Sequence, residues 1–232
     1  VLKYEEKEVT VTASAIQFGN DVSLYVGTES GSIFKASLDR FLSLSSSSTI
    51  SSLPLHICET KHYGPVTSLS LNTLVTSSSQ SMNTHLLSSS MDWSVKIWET
   101  MNAQSESSQL SDEEEENYAS RKNQNGLVVL NNMQFSDHIF DVQWCPSHPS
   151  IFATVSGGGL LKLWDKQFDL PQFQITPELR IKERGRKKRG VQHKKEFASL
   201  TKVAWRMDGK GLIVGDCLGR LTVVTVPKGF IE

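Results

Sequence analysis

Apolar and polar residues alternate with period two in short stretches along this chain, and the pattern comes four times in the same order. Each time an alternating strand is followed by a second one, a tight turn and a third. The first unit runs through Ala15–Phe18 and Leu24–Ala36, the second through Val66–Leu71 and His85–Trp98. The third runs through Phe140–Trp144 and Ile151–Trp164, the fourth through Leu200–Trp205 and Leu212–Val224. The β-branched content and the Gly, Asp and Ser residues between strands predict hairpins. No long stretch of period 3.6 predicts a helix, so the expected class is all-β.

The equivalent turn positions are Gly31, Trp93, Gly159 and Gly219, at spacings of 62, 66 and 60 residues. A propeller blade takes about 40–45 residues, and the surplus is polar. Blade-like units are expected at about 10–42, 60–101, 135–170 and 198–227. The insertions expected between them are 43–56, 102–132 and 175–197, each read as disordered.

Composition narrows the function classes. Residues 1–232 are 38% hydrophobic, with 24 basic and 25 acidic side chains and a net charge of −1, which disfavours bulk coating of nucleic acid or membrane. No run approaches the roughly 18 apolar residues of a membrane helix, and no charged-then-apolar leader opens the chain. Three scattered cysteines, Cys58, Cys145 and Cys217, form neither a disulfide framework nor a zinc cage and suit a reducing compartment. Phosphate-loop, nucleophile-elbow and zinc-protease motifs are absent. Ser156–Gly159 precedes a strand, so no helix N-terminus follows it to hold an anion. Cys145 and His148 lack further matched ligands. Neither an enzyme nor a cofactor, metal or small-molecule site is expected.

At Met91–Trp98 and Leu160–Asp165 the sequence resembles WD-repeat β-propellers. His62–Thr67, Leu87–Trp98 and Phe140–Ala153, in that order, resemble the C-terminal propeller of the dynein intermediate chain family, cytoplasmic type. Val214–Leu221 also fits. The resemblance covers roughly residues 10–100, 135–170 and 199–226. It implies about four blades of a larger, seven-bladed propeller. The chain begins at Val1 rather than Met, and four units alone would leave sheet edges unpaired, so it is read as the C-terminal part of a longer polypeptide.

By the same resemblance a His, a Ser or Thr, an Asp and a Trp form a buried hydrogen-bonded set that pins the turn of a blade. The matching residues are His62, Ser88, Asp92 and Trp98 in the second unit. In the third they are His138, Thr154 and Trp164, with Gly158 where the Asp would stand. The first and fourth units lack the set, so their turns are expected to rely on glycine. Trp93 sits in a hairpin turn where a small residue is usual; it either anchors a partner or covers the neighbouring blade.

Two charge runs keep several readings. Ser111–Glu116 is a solubilising insertion or a site of phosphorylation at Ser111 by an acid-directed kinase. Residues 180–195 hold nine Lys or Arg and one Glu. That run, with Arg186, Lys187, Lys188 and Arg189 at its centre, is a loop, an electrostatic contact or a localisation signal.

The resemblance implies a non-catalytic subunit of a cytoplasmic, microtubule-associated dynein complex. Its partners would be the dynein heavy chain and, through a region not present here, light chains. The rival is a nuclear or RNA-associated scaffold that uses 180–195 to bind nucleic acid.

Overall fold

The computed structural model describes residues 3–4, 7–17, 22–37, 56–57, 61–72, 74, 84–100, 127–167, 173–175, 198–227 and 230. All regular structure among them is strand. A short pair, β1 (Lys3–Tyr4) and β2 (Lys7–Glu8), precedes four antiparallel sheets. Sheet 1 is β3 (Val11–Gln17), β4 (Ser23–Thr28), β5 (Ile33–Ser37) and β6 (His56–Ile57). Sheet 2 is β7 (Val66–Leu71), β8 (Thr84–Ser90), β9 (Ser94–Thr100) and β10 (Leu127–Gln134). Sheet 3 is β11 (Ile139–Trp144), β12 (Ile151–Ser156), β13 (Leu161–Asp165) and β14 (Phe173–Ile175). Sheet 4 is β15 (Leu200–Trp205), β16 (Gly211–Asp216) and β17 (Leu221–Thr225).

Every sheet is a meander in chain order, and the first strands lie side by side in the row β3, β7, β11, β15. One register shift falls at the same place in all four, at Val11/Ala13, Val66/Ser68, Ile139/Asp141 and Leu200/Lys202. A bulge at one fixed position bends each inner strand alike, so the sheets splay by a constant step.

The sheets stack face to face, and a middle strand such as β12 is buried at every position, on both faces of its sheet. Tyr25 and Ile33 of sheet 1 meet Val66, Leu69, Leu86 and Trp98 of sheet 2. Leu87, Val95 and Ile97 of sheet 2 meet Ile139, Val142, Phe152 and Trp164 of sheet 3. Ala153, Val155, Leu161 and Leu163 of sheet 3 meet Leu200, Val203, Leu212 and Val214 of sheet 4. Backbone and side chain also cross these joints. Ser70 Oγ accepts the Trp144 amide at 3.1 Å, and the buried Asp141 carboxylate accepts the Val203 amide at 3.0 Å.

The insertion expected at 102–132 is shorter at its far end than the pattern suggests. Residues 127–132 belong to β10, which pairs along β9 and completes sheet 2. Asn131 and Asn132 hide that strand, since alternation breaks where the register shifts between Val129 and Asn131. Likewise His56 belongs to β6 and Ile175 to β14, at the margins of the other two expected insertions.

Candidate functional site

The four turns between the second and third strands of each sheet are built alike. The residue at position 31, 93, 159 or 219 takes positive φ, at +85°, +66°, +77° and +74°. Each closes a three-residue loop, a type I turn ending in a left-handed residue. Trp93 alone among the described residues holds that conformation with a side chain. Three positions earlier stands an oxygen that caps the turn. Thr28 Oγ1 accepts the Ser32 amide, Ser90 Oγ the Asp92 amide, Ser156 Oγ the Leu160 amide, and Asp216 Oδ1 the Leu218 and Arg220 amides. The first and fourth turns therefore use a hydroxyl and a carboxylate as well as glycine. This capping position was not picked out in the sequence, although its fixed offset from the turn residue is the signal.

In sheet 2 the chain brings His62, Ser88, Asp92 and Trp98 together. The Trp98 indole N–H donates to Ser88 Oγ at 2.8 Å, and Ser88 Oγ lies 2.7 Å from His62 Nε2. His62 Nδ1 lies 2.9 Å from Ser94 Oγ and 3.2 Å from Asp92 Oδ2. Ser94 Oγ in turn donates to Asp92 Oδ1 at 2.6 Å, and the Tyr63 amide donates to Asp92 Oδ2 at 2.8 Å. One direction satisfies every group: indole to hydroxyl to Nε2, then Nδ1–H to Ser94 and Asp92. Burial pushes the fully enclosed His62 down to about 4, against the pull of Asp92. Its ring is thus neutral at physiological pH. For Asp92, burial acts upward but is outweighed by Ser94, the Tyr63 amide and His62, and the carboxyl titrates below its usual value. Ser94 is a member of the set that the sequence reading did not include.

Sheet 3 departs from the expected set. Thr154 Oγ1 accepts the Trp164 indole at 2.9 Å, but His138 is not with them. Its carbonyl accepts the Gly157 amide as the Pro65 carbonyl accepts that of Met91, so His138 corresponds to Pro65 and lies on the exposed rim. The residue corresponding to His62 is Phe135, four positions before the first strand of its sheet. Both amides bond to the carbonyl of the preceding turn residue, His62 to Gly31 at 2.9 Å and Phe135 to Trp93 at 2.8 Å. Phe135 packs edge-on against Trp164 at 5.1 Å, with Lys162 Nζ 5.4 Å from its ring centroid. A phenyl ring thus replaces imidazole, and a cation–π contact stands in for its hydrogen bonds. Counting back from the strand, rather than choosing the nearest histidine, would have found it.

On the rim, Trp93 is half-exposed and Tyr63 is 94% exposed. Trp93 lies in the 91–94 turn, and the Tyr63 amide bonds to Asp92 of the same turn. Trp93 leans on His138, with ring centroids 5.8 Å apart. Arg186, Lys187, Lys188, Arg189 and Ser111 lie outside the described residues. Among the described residues no three His, Cys, Asp or Glu side chains gather to hold a metal. Cys145 Sγ contacts Ser147 Oγ, while His148 Nδ1 faces Ser150 Oγ.

Four radially stacked meander sheets, with one turn pinned by a His–Ser–Asp–Trp set, define a WD-repeat β-propeller. Residues 131–165 match the WD domain, G-beta repeat, family, and residues 1–115 match the dynein intermediate chain family, PAC11. Over 228 residues the chain is 26% identical to cytoplasmic dynein 1 intermediate chain of Drosophila melanogaster; this is 98% of the chain and 27% of that relative's length. The chain is thus similar to the dynein intermediate chains in its first half by family model and along its length by this relative. Solved structures of similar fold include the Cps50 (Swd1) β-propeller domain of Myceliophteria thermophila, at TM-score 0.58 and 15% identity, covering 95% of this chain and 53% of that one. The computationally designed Ika4 protein is similar at TM-score 0.51 and 16% identity, covering 97% of both chains.

Proposed function

We propose that the chain is part of a non-catalytic intermediate-chain subunit of a cytoplasmic dynein complex. In this reading its blades hold the tail of the dynein heavy chain, and the subunit supports cargo attachment for microtubule-based transport. The observation that carries the reading is the whole-chain match to a cytoplasmic dynein 1 intermediate chain, joined to the family match over residues 1–115. The geometry supports a scaffold: the polar clusters described are spent on pinning turns and joining sheets, which makes the rim a rigid platform. Light chains would bind outside these residues.

The test is affinity purification of the native protein from its source cells, with bound proteins identified by mass spectrometry. Dynein heavy and light chains are the expected co-purifying proteins. Recovery of RNA-processing or chromatin proteins without any dynein subunit would overturn the reading in favour of nucleic-acid binding through 180–195. Binding of that second kind falls steeply with salt.

A further inference from the structure

Where one sheet meets the next, the left-handed turn residue of the first stands near the entry of the second. The joint between sheets 1 and 2 has Gly31 and Pro65 at these two places. The joint between sheets 3 and 4 has Gly159 and Ser199, whose carbonyl accepts the Cys217 amide as that of His138 accepts the Gly157 amide. Between sheets 2 and 3 the pair is Trp93 and His138, so an indole meets a titratable ring at this joint, with both side chains on the exposed rim.

The backbone on either side of the pair is held by other bonds. The Met91 amide donates to the Pro65 carbonyl at 3.0 Å, and the Phe135 amide donates to the Trp93 carbonyl at 2.8 Å. The His138 amide donates to Asp137 Oδ1 at 2.7 Å, and its carbonyl accepts the Gly157 amide at 2.9 Å. The next residue, Ile139, is buried, and its carbonyl accepts the Thr67 hydroxyl of sheet 2. The two rings can therefore exchange partners without moving either sheet.

Those partners compete for one atom. His138 Nδ1 lies 3.0 Å from the Trp93 indole nitrogen and 2.8 Å from the Met91 carbonyl oxygen. The indole only donates and the carbonyl only accepts, so a proton on Nδ1 selects between them. A neutral ring with its proton on Nε2 accepts from the indole. An imidazolium has protons on both nitrogens, so Nδ1–H makes a charge-assisted bond to the Met91 carbonyl and the indole N–H faces another N–H. The indole points its N–H edge at the imidazole, with centroids 5.8 Å apart and planes at 77°, so no cation–π contact replaces the lost bond. The charged groups around the ring are Asp137 beside it and Asp92 in the 91–94 turn, whose oxygens are engaged by Ser94, the Tyr63 amide and His62. In sheet 3 the 156–160 turn holds no charge, and Lys162 is turned to Phe135 and Trp164.

We propose that His138 is a proton-operated latch for Trp93. The neutral ring holds the indole across the joint between sheets 2 and 3. Uptake of one proton from solvent hands Nδ1 to the Met91 carbonyl and releases the indole. The sheets stay stacked on their apolar cores, while the aromatic surface offered by the rim changes with the protonation state. This inference rests on the partners of one nitrogen and not on the dynein reading, so either can fail without the other.

The test labels the intact protein with 5-fluorotryptophan and follows the Trp93 fluorine resonance, identified by its loss in Trp93→Phe. The titration runs from about pH 8 to 5, the interval in which imidazoles change charge. The expected result is a one-proton shift of the Trp93 resonance and a gain in its accessibility to a soluble paramagnetic quencher, with the Trp98 and Trp164 resonances unmoved. The shift is lost in His138→Gln, which takes up no proton. In the unaltered protein, the nitrogen-15 resonance of His138 Nδ1 passes from its unprotonated to its protonated position over the same interval. A Trp93 resonance that does not titrate, or titrates unchanged in His138→Gln, overturns the proposal. So does a step shared by Trp98 and Trp164, since the sheets then open together, or an Nδ1 already protonated at the start.

Discussion

The indole N–H of Trp93 lies 3.0 Å from Nδ1 of His138, so the left-handed turn residue of sheet 2 is tied to the entry of sheet 3. The same Nδ1 lies 2.8 Å from the Met91 carbonyl. A single ring nitrogen either accepts from the indole or donates to the carbonyl, and the indole can only donate. The indole contact is made with the His138 proton on Nε2, the carbonyl contact with it on Nδ1. The packing of Trp93 on the His138 ring offsets a backbone conformation that costs a non-glycine residue about 1–2 kcal/mol.

Trp93→Ala and Trp93→Gly separate these two effects. The alanine variant keeps the strain and loses the contact, so it is expected to unfold at lower urea, by about 1–2 kcal/mol. The glycine variant loses the contact but relaxes the backbone, and is expected to be about 1 kcal/mol more stable than the alanine variant. Equal midpoints for the two would show that φ at this position carries no strain.

Stability is expected to fall on acidification because of His62. Its folded value of about 4 is below the ordinary 6.5, so the unfolded chain binds the proton more readily. The contribution is complete above pH 6.5 and is lost as pH drops from there towards 4, by roughly 3 kcal/mol at most. Asp92, shifted down from 3.8, adds a loss below that range. Urea midpoints from pH 7.5 to 4.5 should show this slope, and His62→Gln should flatten it.

Ser88→Ala and Thr154→Val test the sets in sheets 2 and 3. The first change strands both the His62 Nε2 and the Trp98 N–H, two buried groups, at about 2–4 kcal/mol. The second strands only the Trp164 N–H and keeps the shape, at about 1–2 kcal/mol. Chemical denaturation of the two variants side by side measures the difference.

Gly31→Ala should cost far more than Gly219→Ala, although both glycines have positive φ. At Gly219 the added methyl meets open space and only the backbone penalty of about 1 kcal/mol remains. At Gly31 it meets the His62 carbonyl, and the joint between sheets 1 and 2 must open. Thermal unfolding midpoints are expected to separate by several degrees.

The sequence by itself determined the first three strands of each sheet and the turns between the second and third. Period-two alternation is a local property, and it marks Val66–Leu71 and the four turn residues without reference to any neighbour. The contents of the His62 set were also legible, because Ser88, Asp92 and Trp98 lie at fixed offsets along one hairpin. What failed was equivalence across sheets. His138 looked like the third unit's histidine because it is near the strand in sequence, yet the amide bond to Trp93 O shows that Phe135 holds that place. β10 was missed because its residues alternate poorly, and it becomes a strand only by pairing with β9 after an intervening stretch of chain.

Which faces are covered was decided only in three dimensions. Leu87 and Ile213 read alike in sequence, each an apolar residue in the middle of an alternating strand, yet one is buried and the other half-exposed. Alternation states that a face is apolar. Whether another sheet lies against it depends on contacts between residues far apart in the chain, and those are set by the bulge in each inner strand and by the stacking it imposes.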